Sequence, residues 1–256
     1  AHRPKCVYLI PTGQNPTGCT MSTERRRAIL EVAHRHRILI LEDDPYFNLY
    51  YGRSLSSESA EGFTIARRPQ SFFELDQHHI VLRFDSLSKV LSSGLRLGWV
   101  TGPSFLVEKL QLHQQASCLH ASGLSQGVAL AILNQWGSAG WSEHVRLAAE
   151  FYRARRDLIV RLADKHLSGL VEYTVPAAGM FLWIRLTHVA DSRALILQEA
   201  VSARVLMVPG ALFQVNGQSP SSFVRASFSL ATEAEMDTAL QRVADLLRAH
   251  QQRCAQ

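Results

Sequence analysis

Lys89 stands in the stretch Arg83-Phe84-Asp85-Ser86-Leu87-Ser88-Lys89, and the residue types around it suit a phosphate. Ser86 and Ser88 lie within three residues before the lysine and Arg96 lies seven after it. Gly94 and Gly98 leave the backbone open to close approach. Hydroxyl donors, a guanidinium fork and open backbone amides are what a phosphate needs. An amine held beside a bound phosphate, rather than on it, is free for covalent chemistry. That points to a Schiff base with a phosphorylated aldehyde cofactor. Taken alone, a lysine in a serine-rich loop is a solvated surface residue far more often than a catalyst, so the assignment depends on the rest of the chain.

The elements that must position these groups read as an α/β pattern. Ile80 to Phe84 is an apolar run of strand type, and the hydroxyl-rich segment leaves its carboxyl end, where ligands sit in open α/β sheets. Upstream, a strand over Cys6 to Ile10 runs into the loop Pro11 to Gly18. Thr20, Ser22 and Glu24 then offer capping groups for a helix to about His36, with Ile29, Val32, Ala33 and His36 on its inner face. Ile38 to Leu41 is a short strand that ends in Glu42-Asp43-Asp44-Pro45-Tyr46, again placing polar residues at a strand's carboxyl end. Gly52 to about His79 is polar and irregular and reads as a long surface excursion. A strand at Leu97 to Thr101 follows, so the first part predicts a mostly parallel sheet with helices on both faces.

From Phe105 to about Leu167 the pattern is helical, with breaks near His120 to Ser122 and Gly137 to Gly140. Beyond Gly169 come short strands at Val171 to Val175 and Phe181 to Leu186, a helix over Ser192 to Ala203, strands at Val205 to Val208 and Phe223 to Ser229, and a helix over Glu233 to His250. This reads as a smaller α+β layer. The boundary falls inside the long helix, giving 1–145 as the sheet-bearing part and 146–256 as the small C-terminal domain.

At 256 residues, 46% hydrophobic and 19% charged, the chain can bury substantial cores. Its longest apolar runs are too short to span a bilayer, so no membrane role is expected, and Ala1 to Ile10 lacks the apolar region of a signal peptide. Cys6, Cys19, Cys118 and Cys254 show neither metal spacing nor close pairing and read as free thiols of a reducing compartment. The expected location is intracellular and cytoplasmic, or the mitochondrial matrix where a presequence precedes Ala1. A net charge of +5 is mild, and the clusters Arg25-Arg26-Arg27 and Arg153, Arg155, Arg156 read as solvated helix faces rather than a nucleic-acid surface. His34/His36 and His78-His79 lack a third partner at ligand spacing, so no metal is expected.

Four motifs in order carry a resemblance: Asn15-Pro16-Thr17-Gly18, Asp43-Asp44-Pro45-Tyr46, Ser86-Leu87-Ser88-Lys89 with Arg96, and Val224-Arg225-Ala226-Ser227-Phe228. Together they resemble the class I, fold-type I aminotransferases dependent on pyridoxal 5'-phosphate. The runs Val175 to Trp183 and Gly94 to Gly98 look closest to the kynurenine/2-aminoadipate aminotransferase subgroup. The resemblance covers the chain apart from the Gly52 to His79 excursion, and it implies roles for single residues. Lys89 would carry the Schiff base and move the α-proton. Asp43 would pair with the pyridine nitrogen, chosen over Asp44 because the family's aspartate stands three residues before the tyrosine. Asn15 and Tyr46 would bond the ring's phenolic oxygen, while Ser86, Ser88 and Arg96 would hold the phosphate. Arg225 would grip the substrate carboxylate with Asn15 beside it, and Phe181, with Leu119, would lie near the substrate side chain.

The implied reaction moves an amino group between an L-amino acid, such as 2-aminoadipate, kynurenine or an aromatic one, and a 2-oxo acid such as 2-oxoglutarate, in a homodimer. A function of another class is a non-catalytic domain that binds the same cofactor in a transcription regulator; another is an inactive, truncated aminotransferase. The chain enters a strand almost at once and has no initiator methionine, which reads as a cut. The resemblance places the glycine/serine phosphate loop, the aromatic that stacks on the cofactor and a substrate-covering segment upstream of Ala1. The chain taken alone is therefore expected to be a poor transaminase.

Overall fold

The computed structural model describes residues 3–53, 68–217 and 219–254. Its first sheet takes the strands β1 (Cys6–Leu9), β2 (Leu39–Asp43), β3 (Val81–Ser86) and β4 (Gly98–Thr101) in that spatial order. β1, β2 and β3 run parallel, and β4 lies antiparallel to β3 with Ser86 opposite Gly98. The helix α1 (Thr23–His36) makes the first crossover. It starts where Ser22 Oγ accepts from the Arg25 N–H and stops where Arg37 turns left-handed (φ 55°) and donates back to the Ala33 carbonyl.

The inner stripe of α1 differs from the expected one. Arg26, Leu30 and Ala33 face the sheet, packing with Ile40, Phe72 and Val81, whereas Val32 is 51% exposed. The cause is Arg26, which is fully buried and donates to the carbonyls of Met21, Pro11 and Gln70 and to Thr12 Oγ1. The basic run Arg25-Arg26-Arg27 is therefore not a solvated face throughout. A second correction falls on the excursion. Residues 54–67 lie outside the described residues, but its later part is core: Ser71 caps the short helix α2 (Phe72–Leu75), and Phe72 is fully buried.

Beyond β4, the helices α3 (Ser104–Ser117) and α4 (Gly123–Leu167) follow. The break expected near residues 137–140 is a single non-helical residue, Gly137 (φ 58°, ψ −168°), and the proposed boundary at 145 lies within α4. The second sheet is antiparallel, ordered β5 (Val171–Tyr173), β6 (Phe181–Leu186), β8 (Phe223–Ser227), β7 (Val208–Pro209). Between β6 and β7 the helical segment opens as α5 (Ser192–Ala194) and continues with π-type bonding over Leu195–Ala200. The final helix α6 (Glu233–Cys254) and the latter half of α4 cover the sheet, burying Ile159, Ala163, Leu182, Ile184, Val224, Leu240 and Ala244 in one core. Arg156, read from sequence as solvated, is fully buried there and donates to the carbonyls of Gly52 and Pro176.

The two sheets meet at backbone level. Gly13 (φ 55°) lies so close to Ala178 that a Cβ would sit 2.7 Å from its carbonyl carbon, and a Cβ at Gly179 (φ 80°) would sit 3.1 Å from the Gly13 oxygen. Tyr51 Oη donates to the Gly179 carbonyl at 3.1 Å, and the Gly179 N–H donates to the Leu49 carbonyl. These bonds tie the loop before α1 and the segment after β2 to the start of β6.

Replacing Arg26 by methionine keeps much of its volume but leaves Glu42 and Asp44 with Arg83 as the nearby cation. Loss of one partner from a buried ion cluster costs about 3–5 kcal/mol. We expect Arg26→Met to lower the denaturation midpoint by a corresponding amount. A stability within about 1 kcal/mol of the parent, the level of a surface pair, would contradict the burial of this side chain.

Candidate functional site

The site is built where the parallel strands end. Along a strand, successive side chains point to opposite faces. In β2, Ile40 and Glu42 point under the sheet, whereas Leu39, Leu41 and Asp43 lie on the open face. Glu42 is fully buried and accepts from the Phe72 and Phe73 N–H groups at 2.8 and 3.0 Å. Asp44, just past the strand, is buried as well. It accepts from Thr12 Oγ1 at 2.9 Å, lies 3.6 Å from Arg83, and leaves Oδ1 without a hydrogen bond among the described residues. The adjacent carboxylates thus face opposite environments: Asp44 a buried set of arginines, Asp43 the open face.

On that face the Tyr8 hydroxyl donates to Asp43 Oδ2. Tyr8 was not among the residues singled out from sequence. Pairing of Tyr8 with Leu41 puts it one diagonal step from Asp43, and only the strand register reveals this. Its phenol is pushed well above the usual range by burial of its oxygen, by the Asp43 hydrogen bond and by the Asp43 charge.

Tyr46, Phe181, Asn15 and Arg225 are brought together. Arg225 projects from β8, and its Nη1 donates to Asn15 Oδ1 at 2.7 Å. Its guanidinium lies over the rings of Phe181 (4.2 Å) and Phe213 (5.2 Å). Its Nε is buried and lacks a hydrogen-bond partner among the described residues. Tyr46 is buried edge-on to Phe181, and burial raises its phenol, with the nearby Arg225 charge opposing. Phe213, the second ring against Arg225, was also missed from sequence. Its run Gly210–Phe213 is a 3-10 turn with no strand or helix periodicity to mark it.

Ser86, Ser88 and Arg96 form a second group. Ser86 Oγ accepts from the Ser88 N–H at 3.1 Å, and Arg96 Nη1 donates to Ser88 Oγ and to the Ser93 carbonyl, each at 3.2 Å. Arg96 takes a left-handed conformation (φ 53°), which turns the chain back into β4. A Cβ at Gly98 would meet the Asp85 oxygen at 2.6 Å, so the hairpin can close here only on a glycine. Lys89 is half-buried on the turn after β3 and has no hydrogen-bond or ion-pair partner among the described residues. Leu119 stands apart, 70% exposed between α3 and α4. A cavity of about 1320 Å³ between the β3–β4 hairpin and α3 and α4, lined by Phe84, Trp99, Leu110, Leu130 and Trp141 among others, includes none of the predicted site residues.

An unpartnered amine, a hydroxyl joined to a guanidinium with a second hydroxyl two residues away, an open-face carboxylate and an arginine with a buried, unbonded Nε form a set of groups that fits pyridoxal 5'-phosphate and an amino-acid substrate. Among the described residues no group of three or more histidine, cysteine or acidic residues could hold a metal, and no helix is long and apolar enough to cross a membrane.

The family model described as aminotransferase class I and II matches residues 2–243. The mouse protein named kynurenine/alpha-aminoadipate aminotransferase, mitochondrial, is 43% identical over 245 residues, and its rat counterpart 45%. The alignment with either covers 96% of this chain, and the chain spans 55% of the relative's length. Among solved structures, the kynurenine aminotransferase of Pyrococcus horikoshii superposes with a TM-score of 0.85 at 27% identity, covering 96% of this chain and 56% of that one. An alpha-aminoadipate aminotransferase from Thermus thermophilus, complexed with N-(5'-phosphopyridoxyl)-L-leucine, gives 0.84 at 28% identity, covering 96% and 59%.

The buried carboxylate behind the site yields a pH test. Burial pushes Asp44 from the ordinary 3.8 up to about 7, against the pull of Arg83. Between those values the native chain holds a proton that the unfolded chain has released, so this group's contribution to stability falls as pH rises through that window and is level above it. The parent should therefore lose more stability than Asp44→Asn between about pH 5 and about pH 8, read from denaturant midpoints. Equal losses would mean that Asp44 stays ionised throughout.

Proposed function

Because the chain belongs to the aminotransferase class I and II family, we propose that it carries active-site residues of a pyridoxal 5'-phosphate-dependent transaminase. The reaction moves an amino group between an L-amino acid, of the 2-aminoadipate, kynurenine or aromatic kind, and a 2-oxo acid such as 2-oxoglutarate. The carrying observation is Arg225: a guanidinium held by Asn15 at 2.7 Å, stacked on Phe181 and Phe213, with a buried Nε still to be satisfied. That is a fork shaped for a substrate carboxylate, common to amino acids and 2-oxo acids. The names of the rodent relatives support the substrate class.

The cofactor, when bound, supplies a ring able to accept the electron pair left at the substrate's α-carbon. The chain's own residues do the rest. Ser86, Ser88 and Arg96 would bind the phosphate, and Asp43 would accept a hydrogen bond from the protonated pyridine nitrogen. Asn15 and Tyr46 orient the ring through its phenolic oxygen. Lys89 would hold the cofactor's aldehyde carbon and, when its amine is free, would carry the proton between the substrate Cα and that carbon. Phe181 presses on Arg225 and borders the substrate side chain. We assign 1–145 to the cofactor-binding domain and 146–256 to the small domain, and place the assembled enzyme in a homodimer.

Three outcomes are expected of the full protein. Borohydride reduction of the cofactor-loaded enzyme should fix the cofactor on the peptide containing Lys89; capture at Lys109 or Lys165 would overturn the assignment. Arg225→Ala should raise KM for both the amino acid and the 2-oxo acid by the equivalent of about 2–5 kcal/mol, as for one partner lost from a buried charge pair. Asp43→Asn should keep the cofactor bound yet slow turnover by orders of magnitude, because it removes a partner that matters most as charge develops. A coupled assay of 2-oxoglutarate consumption with 2-aminoadipate or kynurenine reads both variants; parental constants in either would exclude the role given to that residue.

A further inference from the structure

We propose that Tyr8 is a positioning residue for this site: its phenol fixes the Asp43 carboxylate from the neighbouring strand and leaves Oδ1 turned to the open face. The inference rests on the role given above to Asp43.

The geometry comes from two strands and their register. Parallel pairing sets Tyr8 beside Leu41 and Leu9 beside Glu42, and side-chain alternation then places Tyr8, Leu41 and Asp43 on one face. A tyrosine in that position reaches the residue one diagonal step along, and the Tyr8 hydroxyl donates to Asp43 Oδ2. The ring is 57% exposed, so Tyr8 contributes little as core packing. Its polar end is the engaged part. The groups acting on that phenol are Asp43 from β2 and Tyr46 from the turn after β2. Both raise its proton affinity, so the phenol stays a donor at neutral pH.

The terminal torsion of an aspartate is broad and roughly two-fold, so an untethered Asp43 carboxylate would sample many orientations. A hydrogen bond on Oδ2 selects one of them. The remaining oxygen is then held in one orientation as the acceptor left for a ring nitrogen. No bond forms or breaks at Tyr8; its effect passes wholly through Asp43. Placement errors of about an ångström at such a contact can cost on the order of a hundredfold in rate.

The test combines a measurement on protein freed of cofactor with kinetics on the loaded enzyme. In the full protein without cofactor, tyrosinate absorbance is titrated for the parent, Tyr8→Phe and Asp43→Asn. The parent should contain several late-titrating phenols, Tyr51 and Tyr173 among them; Tyr8→Phe should remove one from that set, and Asp43→Asn should shift that one to lower pH. In the loaded enzyme, Tyr8→Phe should lower kcat on the order of tenfold to a hundredfold, with the KM of the 2-oxo acid little changed. The same substitution made on Asp43→Asn should cost almost nothing further, since neighbours that act as a unit are not additive. A Tyr8→Phe enzyme with parental kcat, or equal fold losses in both backgrounds, overturns the inference and leaves the reading of Asp43 standing. An Asp43→Asn enzyme with parental kcat overturns both.

Discussion

A buried ionic cluster beneath the first sheet holds the fold and the candidate site together. Arg26 from α1, Glu42 from β2, Arg83 from β3 and Asp44 from the turn after β2 share this space, and Arg83 also donates two hydrogen bonds to Asp85 at 2.7 and 2.9 Å. Burying this many charges is costly, and the cost is recovered only where nearly every lone pair and N–H is used. Glu42 and Arg26 spend most of theirs on backbone, whereas Asp44 Oδ1 and Arg83 Nη1 are left with the charges around them and no hydrogen bond among the described residues. Glu42 takes up the first N–H groups of α2, and Arg26 closes on the carbonyls of Pro11, Met21 and Gln70. A cluster that cannot relax without losing these bonds fixes the ends of β2 and β3 relative to the Pro11–Gly18 loop. Asp43, Ser86 and Asn15 ride on those three segments.

Thr12 is the link between the buried side and the open side. Its hydroxyl accepts from Arg26 at 3.0 Å and donates to Asp44 at 2.9 Å, three residues before Asn15 reaches Arg225. The buried charges thereby hold the loop that carries Asn15. The second sheet enters the same arrangement through Arg156, which reaches the carbonyls of both Gly52 and Pro176, one on each side of the junction. Arginine suits both positions, since a rigid fork satisfies several carbonyls at once and keeps its charge under strong desolvation.

The sequence disclosed the chemistry more readily than the packing. Polar residues at the carboxyl ends of apolar runs, Asp43 after β2 and Ser86 at the end of β3, are a local pattern, and so are the motifs around Lys89 and Arg225. The expectation of a mostly parallel first sheet rested on the order of its elements, and β1, β2 and β3 do run parallel. What stayed hidden depends on partners far along the chain. Nothing in Arg25-Arg26-Arg27 distinguishes the middle residue until Gln70, 44 positions later, supplies a carbonyl. Phe72 lies in a polar-looking stretch; Glu42 holds its N–H, and its ring packs with Leu30, Ala33, Ile40 and Val81, all distant in sequence. The inner face of α1 turned away from the purely apolar choice for the same reason: a buried arginine took a place that periodicity gives to a hydrophobe. Tyr8 and Phe213 needed the strand register and the tertiary path of a 3-10 turn.

The meeting of Gly13 and Gly179 has a mechanical consequence. No side chain separates the two backbones there, and a Cβ added at either glycine would fall within 3.1 Å of the opposite main chain. Side-chain interfaces let helices and sheets slide by small repacking steps, but two main chains in contact have no such play. The junction therefore leaves the second sheet no room to shear past the first. The span between Arg225 and the Ser86–Ser88–Arg96 group is thus held by backbone contact at Gly13 and by the bonds of Arg156, Tyr51 and Arg225 across the same junction.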